Sequence, residues 1–390
     1  MSELVTRTLD LSRASDAAVK AVLHGLALNG DHVLDSRFNA SDSSLEIECK
    51  DDDAADRAAS FVASMLQTHR RIASKVLFHT ESLESTWFDV DEELSRTHDL
   101  LPLGPGLAGI RGSILQLFRF FEREFLQIAK EFHCEEQQYP TLLPATVVAE
   151  LGYLGHFPQH VTFCSHLPDD LSVLDSVARA MGAPEEIVHH AGKHATSPQH
   201  VLTPGVCLPC YRQMRGVTLA EGETRALTMQ NHVFRYESNR FRPLARGWDF
   251  TVRDIVFFGT YADMQRLRQQ VLDRTLQLCR ELDLTVTVEV ANDPFFLDAN
   301  RDKTIFQRMG EVKYELLFPL PFRDESLAAS SFNLHRDFYT SVYGTQLKNG
   351  SLAESSCIGF GIDRWTYGFL SQKGFHPEKW PERVRRCLGK

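Results

Sequence analysis

Hydrophobic and polar residues follow two different periods in the first eighty residues. Segments 4–11, 32–38 and 45–49 have the composition and pattern of strands, whereas residues 16–28 carry Val19, Val22 and Leu26 at helical spacing. A second helix is predicted after the acidic run 51–53, because carboxylates stabilise a helix N-terminus. The pattern therefore predicts a small α/β module over residues 1–80.

A segment with little periodicity comes next. Residues 81–99 are acidic, and residues 101–106 are rich in proline and glycine, so we expect a linker over 81–106. Beyond it, one face of a long predicted helix is formed by six apolar residues, namely Ile114, Leu117, Phe118, Phe121, Phe125 and Ile128. This face packs either into the core of the same chain or against a second subunit.

Strand patterns dominate from about residue 200. Residues 228–237 and 249–258 are β-rich, and the loop between them carries Arg240, Arg242 and Arg246. They predict an antiparallel pair with a cationic tip. A helix over 262–282 and a strand over 284–290 follow, before a glycine-rich segment near the end of the chain.

Composition and charge narrow the class of protein. The 390 residues are 43% hydrophobic and 24% charged, and we find no apolar run of the roughly 18 residues that span a bilayer. The first residues also lack the apolar stretch of a signal peptide, so we expect a cytoplasmic protein with no membrane partner. The net charge of −10 argues against a surface that wraps a long polyanion.

Charged and aromatic residues alternate on the predicted strand pair. Arg235 and Glu237 are two residues apart and so share one face, as do Phe250, Val252 and Asp254. A guanidinium, a carboxylate and a ring on one surface suit a nucleotide. The alternative is a cross-strand ion pair on a solvated face.

The eight cysteines are too scattered for a disulfide scaffold. Cys207 and Cys210 form a single Cys-x-x-Cys pair, so a closed four-cysteine zinc site is not expected. One cysteine of the pair, a carboxylate from the sheet and the distant Cys357 would instead give an open metal site with three protein ligands. The alternative is a set of buried thiols.

A Gly-x-Gly turn precedes the last predicted helix. Gly359 and Gly361 let the backbone approach a flat or charged ligand, and Arg364 at the head of the helix could reach a phosphate. Alone, such a turn also serves close strand–helix packing. The sequence has no Walker phosphate loop, no His-Glu-x-x-His pattern and no serine elbow.

Taken in order, these features resemble a known family. A helix and strand ending at Pro140 or Pro144, then 234–237 with its loop to Phe250, then 359–364 resemble the three motifs of class II aminoacyl-tRNA synthetases. Segments 202–207, 291–296, 313–316 and 331–335 resemble more closely the amino acid–carrier protein ligases, truncated relatives of the atypical, zinc-dependent seryl-tRNA synthetases. The resemblance covers roughly residues 105–375. It implies an α+β fold, with an antiparallel sheet flanked by helices in a catalytic domain over 107–390, and a homodimer built by the first motif.

The resemblance also implies roles for individual residues. Arg235 would hold the α-phosphate of ATP, Glu237 would contact adenine, and Phe250 would stack on one face of the base. Arg364 would cover the other face near the γ-phosphate, which makes Arg235 and Arg364 the catalytic pair. Glu354, just ahead of the glycine turn, is the predicted Mg²⁺ ligand.

The implied metal is zinc. Cys207 and Cys357 match the two zinc-binding cysteines of the family, and Asp254 stands where the family has a glutamate. Aspartate is one methylene shorter, so Cys210 or His232 could substitute for it as a ligand.

The function implied is the ATP-dependent activation of a small amino acid, glycine, alanine or serine, as an aminoacyl-adenylate. Its transfer would go to the phosphopantetheine thiol of an acyl or peptidyl carrier protein. Two arginine-rich clusters could meet an acidic carrier; they are Arg240, Arg242 and Arg246, and Lys379, Arg383, Arg385 and Arg386.

Two alternatives remain open. One is tRNA aminoacylation of the atypical seryl type, with residues 1–80 as a tRNA-binding module, which the lack of dense Lys and Arg there disfavours. The other is a non-catalytic synthetase paralogue.

Overall fold

The structure is a computed structural model that describes residues 4–12, 14, 16–27, 33–39, 41–68, 75–83, 86–237, 241–291 and 311–388. Arg240 and segment 292–296, both used in the sequence analysis, lie outside the described residues.

The N-terminal elements match the periodic patterns. They are β1 (Val5–Asp10), α1 (Asp16–Ala27), β2 (Val33–Asn39), β3 (Ser44–Cys49) and α2 (Asp52–Thr68). The three strands form an antiparallel sheet in the order β1-β3-β2. Alternate residues of β3, Leu45 and Ile47, are buried with Val22 and Leu26 of α1 in one small core. The strand and helix patterns of this part are therefore confirmed.

The next segment contains more regular structure than we expected. Strand β4 (Val76–Thr80) pairs with the large sheet described below, so it does not pair with the N-terminal sheet. The expected linker contains α3 (Val90–Arg96) and the hairpin of β5 (Leu100–Gly104) with β6 (Leu107–Ile110). Two residues of α3, Val90 and Leu94, are buried in the core of the large sheet. A seven-residue helix with two apolar residues gives too weak a pattern to be recognised in a sequence.

The large sheet has eight strands in the order β4-β13-β14-β15-β16-β12-β11-β7. The strands not yet located are β7 (Glu135–Gln137), β11 (Arg225–Phe234), β12 (Asp249–Gly259), β13 (Val286–Val290), β14 (Lys313–Leu320), β15 (Glu325–Arg336) and β16 (Glu354–Gly361). Neighbouring strands are antiparallel, except that β7 runs parallel to β11 at one edge. The predicted antiparallel sheet is confirmed.

Three long helices cover one face of this sheet, namely α4 (Gly112–Glu131), α10 (Tyr261–Glu281) and α12 (Ile362–Lys373). All six apolar residues predicted for one face of α4 are buried in the core of this chain. Trp365 of α12 lies at the centre of this core, with ring centroids 5.6 Å from Phe121 and 5.1 Å from Phe125. Of the two interpretations of the α4 face, packing within the chain is correct.

The opposite face carries a second core and the elements that surround the site. A small sheet has the order β8-β10-β9, formed by β8 (Leu142–Pro144), β9 (Phe163–Cys164) and β10 (His200–Leu202). Among the described residues, the shorter helices are α5 (Ala145–Glu150), α6 (Tyr153–His156), α7 (Leu171–Ala178), α8 (Pro184–Lys193), α9 (Leu208–Gln213) and α11 (Thr340–Tyr343), together with α13 (Glu382–Cys387), which packs in the first core. The described residues also contain the 3-10 helices Pro158–His160, Pro321–Arg323 and Pro377–Lys379. Of the helices in the described ranges, none is both long enough and apolar enough to cross a membrane.

Candidate active site

A cavity of about 390 Å³ lies over the second face of the large sheet. Seven of the eight predicted site residues line it, namely Cys207, Arg235, Glu237, Phe250, Asp254, Cys357 and Arg364. They come from positions up to 157 residues apart, between Cys207 and Arg364. The fold therefore joins the predicted nucleotide-binding and metal-binding residues in one cavity.

Strand register places these residues. Asp254 of β12 lies opposite Gly359 of β16, and Val256 lies opposite Cys357. Side chains on a strand alternate between its two faces, so Phe250, Val252 and Asp254 all point to the cavity side. Cys207 reaches the same point from the loop that immediately precedes α9.

Cys207, Asp254 and Cys357 form a compact cluster. One ligand atom from each lies within 4.8 Å of the others, and Asp254 and Cys357 are buried. Among the described residues, this group does not include Cys210 or His232, the two substitutes considered from the sequence. Cys210 is buried in α9 nearby, whereas the His232 ring is hydrogen-bonded to Asp249 at 2.7 Å.

Burial controls the protonation of this cluster. Burial raises the pKa of Asp254 to about 6, although the hydrogen bonds with Cys207 and Cys357 and the charge of Arg235 lower it. The hydrogen bond with Cys207 raises the pKa of Cys357 well above its ordinary value, and burial adds to this. The hydrogen bond with Cys357 lowers the pKa of Cys207, but burial and the nearby Asp254 carboxylate outweigh it, so this pKa is also raised. Burial thus shifts both thiols and the carboxylate toward their neutral forms, whereas a bound cation would shift them toward their ionised forms.

The other end of the cavity is cationic. The Arg235 guanidinium donates to the Pro204 carbonyl oxygen at 2.9 Å and lies 5.7 Å from the centroid of the Phe250 ring. Arg364 donates to the carbonyl oxygens of Ala245 at 2.9 Å and Ala328 at 3.0 Å. Burial, followed by the nearby Arg246, lowers the pKa of Arg364 to about 10. Both guanidiniums are therefore held in place by contacts within the chain.

Arg246 is a cavity residue that the sequence analysis assigned to a different role. Its guanidinium lies 3.7 Å from the Glu237 carboxylate, inside the lining. The loop folds back on itself, because the backbone N–H groups of Arg242 and Arg246 each donate to the carbonyl oxygen of the other, at 2.9 and 2.8 Å. We expected an exposed cationic tip, and this backbone pairing turns Arg246 inward instead. The sequence feature that could have identified Arg246 as a cavity residue is its place in the loop, four residues before Phe250.

Lys313 and Glu315 were also missed as site residues. Both line the cavity from β14, and their charged groups are 3.0 Å apart. They lie within a segment used for the family resemblance, but their spacing alone indicates only that they share a strand face.

Glu354 is the predicted residue that the structure does not bring to the cavity lining. It lies three residues before Cys357 on β16, so the two side chains point to opposite faces. Its carboxylate is 3.8 Å from Arg336, and burial raises its pKa. Its assignment to Mg²⁺ stays a prediction that this placement does not support.

The two arginine clusters considered for carrier binding are largely engaged within the chain. Arg242 pairs with Glu325 at 2.5 Å, and Arg383 pairs with Glu124 at 2.6 Å. Arg385 donates to a backbone carbonyl oxygen at 3.0 Å, and Arg386 pairs with a glutamate one turn earlier. These contacts reduce the charge that either cluster offers to an acidic partner.

Comparison with known proteins places this chain in a family. No family model matches the chain. The chain is, however, 30% identical over 265 residues to amino acid–acyl-carrier-protein ligase 1 of Bradyrhizobium diazoefficiens, an alignment that covers 67% of this chain and 78% of that protein. The chain belongs to the amino acid–acyl-carrier-protein ligase family. The prediction that it is a ligase is confirmed at this level.

This chain is also similar to tRNA ligases. This chain is 26% identical over 280 residues to the type-2 serine–tRNA ligase of Methanopyrus kandleri, covering 67% of this chain but only 53% of that enzyme. A solved structure of M. kandleri SerRS, in complex with tRNASec of A. aeolicus, matches the fold with a TM-score of 0.72 at 21% identity. That match covers 99% of this chain and 77% of the other. The class II synthetase fold is therefore confirmed.

Proposed function

We propose that this member of the ligase family activates a small amino acid with ATP and transfers it to the phosphopantetheine thiol of a carrier protein. The observation that carries the proposal is the single cavity in which Cys207, Asp254 and Cys357 lie beside Arg235 and Arg364. One end suits an amine held by a metal, and the other suits the phosphates of ATP.

The cationic end supports ATP binding. Phe250 offers a ring for the adenine base, and Glu237 offers a carboxylate for its amino group. Arg235 and Arg364 are held by hydrogen bonds to backbone carbonyl oxygens, and we assign their guanidiniums to the phosphate oxygens. Arg246 adds a third guanidinium, which we assign to the phosphates as well.

The donor set at the other end fits zinc. Two cysteine sulfurs and one carboxylate oxygen are ligands that Zn²⁺ prefers, and three protein ligands leave a coordination position open. Burial disfavours the ionised forms of these three groups, so a bound cation would offset the cost of ionising them together. When bound, zinc would supply a Lewis-acid site for the unprotonated α-amino group of the substrate.

Activation needs orientation more than proton transfer. The carboxylate of an amino acid is ionised at neutral pH, so it attacks the α-phosphorus without a protein base, and pyrophosphate leaves. Arg235, Arg364 and Arg246 would stabilise the charge that develops on the phosphates, together with Mg²⁺. In the second step the acceptor thiolate attacks the carbonyl carbon, the bond to the AMP oxygen breaks, and the thiol proton passes to solvent.

Two observations favour a carrier protein over tRNA as acceptor. The match to the carrier-protein ligase spans 78% of that enzyme, whereas the match to the tRNA ligase spans 53%. Residues 1–80 contain nine Lys and Arg against twelve Asp and Glu, so the N-terminal module lacks the positive charge that phosphate binding needs. The homodimer implied by the resemblance also stays part of the proposal. Strand β7, which belongs to the first motif, lies at the edge of the large sheet, where a strand of a second subunit could pair with it.

The test follows radiolabelled pyrophosphate into ATP in the presence of single amino acids, and then offers labelled amino acid with holo carrier protein or total tRNA. We expect exchange with a small amino acid and labelling of the carrier alone. Labelling of tRNA would support the tRNA ligase alternative. Absence of exchange with every amino acid would refute the proposed activity and support the non-catalytic alternative.

A further inference from the structure

The end of the cavity that contains Cys207, Asp254 and Cys357 is bounded by buried residues of β12 and β16. Along β16 the cavity-lining residues are Gly361, Gly359 and Cys357, each two residues from the next and therefore about 7 Å apart. The next residue on that face, Ser355, is fully buried, and so is its strand partner Phe258. Along β16 the cavity therefore extends from Gly361 to Cys357 and stops before Ser355.

His335 lines the cavity beside this closed end. The register of β15 against β16 shifts between Leu334 and Arg336, which makes His335 the extra residue of a β-bulge. Arg336 has a φ of 54°, a left-handed conformation that is uncommon for any residue except glycine. Bulges beside active sites redirect a side chain, and a strained backbone at this point is consistent with such a role.

Tyr211 holds the His335 ring from behind. Its hydroxyl is hydrogen-bonded to Nδ1 of His335 at 2.8 Å, and Tyr211 itself is fully buried. The Tyr211 ring packs against Phe258, with centroids 5.4 Å apart, and the Tyr339 ring lies 4.9 Å from that of His335. Neither side chain can therefore move away from the cavity without disturbing the packing of the core.

We propose that His335, held by Tyr211, limits the size of the amino acid side chain that the enzyme accepts. This inference rests on the proposed function, because that function places the substrate amine at Cys207, Asp254 and Cys357 and its carboxylate toward Arg235. A side chain directed away from ATP then has only the space between the cluster and His335. Glycine and alanine fit such a space, and branched side chains do not.

A second residue that could limit the size of the substrate side chain lies on the β14 side of the cavity. There the side chain of Lys313 is only 11% exposed and pairs with Glu315 at 3.0 Å. If substrate side chains point toward β14, Lys313 rather than His335 sets their size. The experiment therefore compares the two positions.

The experiment measures kcat/KM for pyrophosphate exchange with glycine, alanine, valine and leucine in zinc-loaded protein. His335→Ala should raise the valine-to-glycine ratio about tenfold or more, since one methylene in such a pocket changes selectivity by about 10- to 200-fold. Tyr211→Phe, which keeps the ring but removes the hydrogen bond, should change the ratio in the same direction by less. His376→Ala is the matched control, because His376 is exposed and lies outside the cavity lining.

A second readout is independent of catalysis. Calorimetry with the inert glycyl and valyl sulfamoyl-adenosines should show a gain in affinity of His335→Ala for the valyl compound alone. An unchanged ratio and unchanged affinities in His335→Ala, or relaxed selectivity in Lys313→Ala instead, would overturn the inference. If His335→Ala binds neither compound, His335→Ser and Tyr211→Phe decide by the same two measurements. Failure of the proposed function is distinct, because wild-type protein would then show no exchange with any amino acid.

Discussion

The carboxylate of Asp254 lies directly over Gly359. A Cβ added at Gly359 would be 3.0 Å from Oδ1 of Asp254 and 3.3 Å from the hydroxyl oxygen of Ser331. The two residues are register partners on β12 and β16. The absence of a side chain at 359 thus leaves the space in which the carboxylate meets the two cysteines.

Gly359→Ala is expected to displace the Asp254 carboxylate and weaken zinc binding by about 10- to 100-fold, the range typical for groups that support a metal ligand. Competition with a chromophoric chelator measures this affinity. Gly192→Ala is the matched control, because a Cβ at Gly192 would meet nothing within 4 Å. Equal zinc affinity in Gly359→Ala and wild type would show that Asp254 does not depend on this space, or does not bind the metal.

Arg246→Ala tests the phosphate role that the structure adds to the prediction. The cavity loses one of three guanidiniums, so kcat/KM for ATP in the exchange assay should fall by a factor of about 100 to 1,000. Arg246→Lys should restore only part of this, because an ammonium cannot bind two phosphate oxygens in a fixed plane. Arg179→Ala, at the exposed position that follows the last residue of α7, should behave as wild type. Unchanged kinetics in Arg246→Ala would remove this residue from ATP binding.

Glu315 and Glu354 are the two carboxylates to compare for Mg²⁺. Glu315 lines the cavity and contributes to the electrostatic environment of Arg364, whereas Glu354 lies outside the lining. We expect Glu315→Gln to raise the Mg²⁺ concentration needed for half-maximal exchange several-fold and Glu354→Gln to leave it unchanged. The reverse result would restore the assignment made from the sequence.

Asp363 gives a prediction for stability against pH. Burial raises its pKa from 3.8 to about 6, although the Thr251 backbone N–H lowers it by donating to the carboxylate. The folded protein therefore holds this proton more tightly than the unfolded chain, and stability falls as the pH rises from about 4 to about 6. Asp363→Asn keeps an acceptor for Thr251 and removes this loss, which by linkage is at most about 3 kcal/mol.

Urea unfolding of both proteins at pH 5 and pH 8 measures the effect. The free energy of unfolding of Asp363→Asn, measured relative to wild type, should be higher at pH 8 than at pH 5. An equal difference at the two pH values would mean that Asp363 has an ordinary pKa.

Much of the fold follows from periodicity. The apolar face of α4 is long and regular, and β11 and β12 are rich in strand-forming residues, so these elements lie close to where the sequence predicts them. The hairpin of α7 and α8 gave no such signal, because neither helix contains a buried residue. The pairing of β4 with β13 could not be predicted, since it joins residues more than 200 positions apart without a local pattern.

The site residues were predicted in two ways, from their spacing on strands and from the family resemblance. Spacing on strands indicated that Phe250 and Asp254 share a face. An open metal site was one of two interpretations of the cysteines, and the family resemblance was needed to select Cys207 with Cys357 across 150 positions. Arg246 was assigned to a loop tip because the backbone pairing that turns it inward has no sequence signature. His335 went unassigned for a similar reason, since a β-bulge is recognised only from strand register.

The most direct test of the central claim measures zinc content and amino acid-dependent pyrophosphate exchange together, on chelator-treated and zinc-reloaded protein. The comparison includes Cys357→Ser and, as control, Cys387→Ser, which replaces an exposed cysteine. The account predicts that exchange is lost with the metal and returns with it in wild type and Cys387→Ser, while Cys357→Ser lacks both. Full exchange in metal-free wild type, or in Cys357→Ser without zinc, would contradict it.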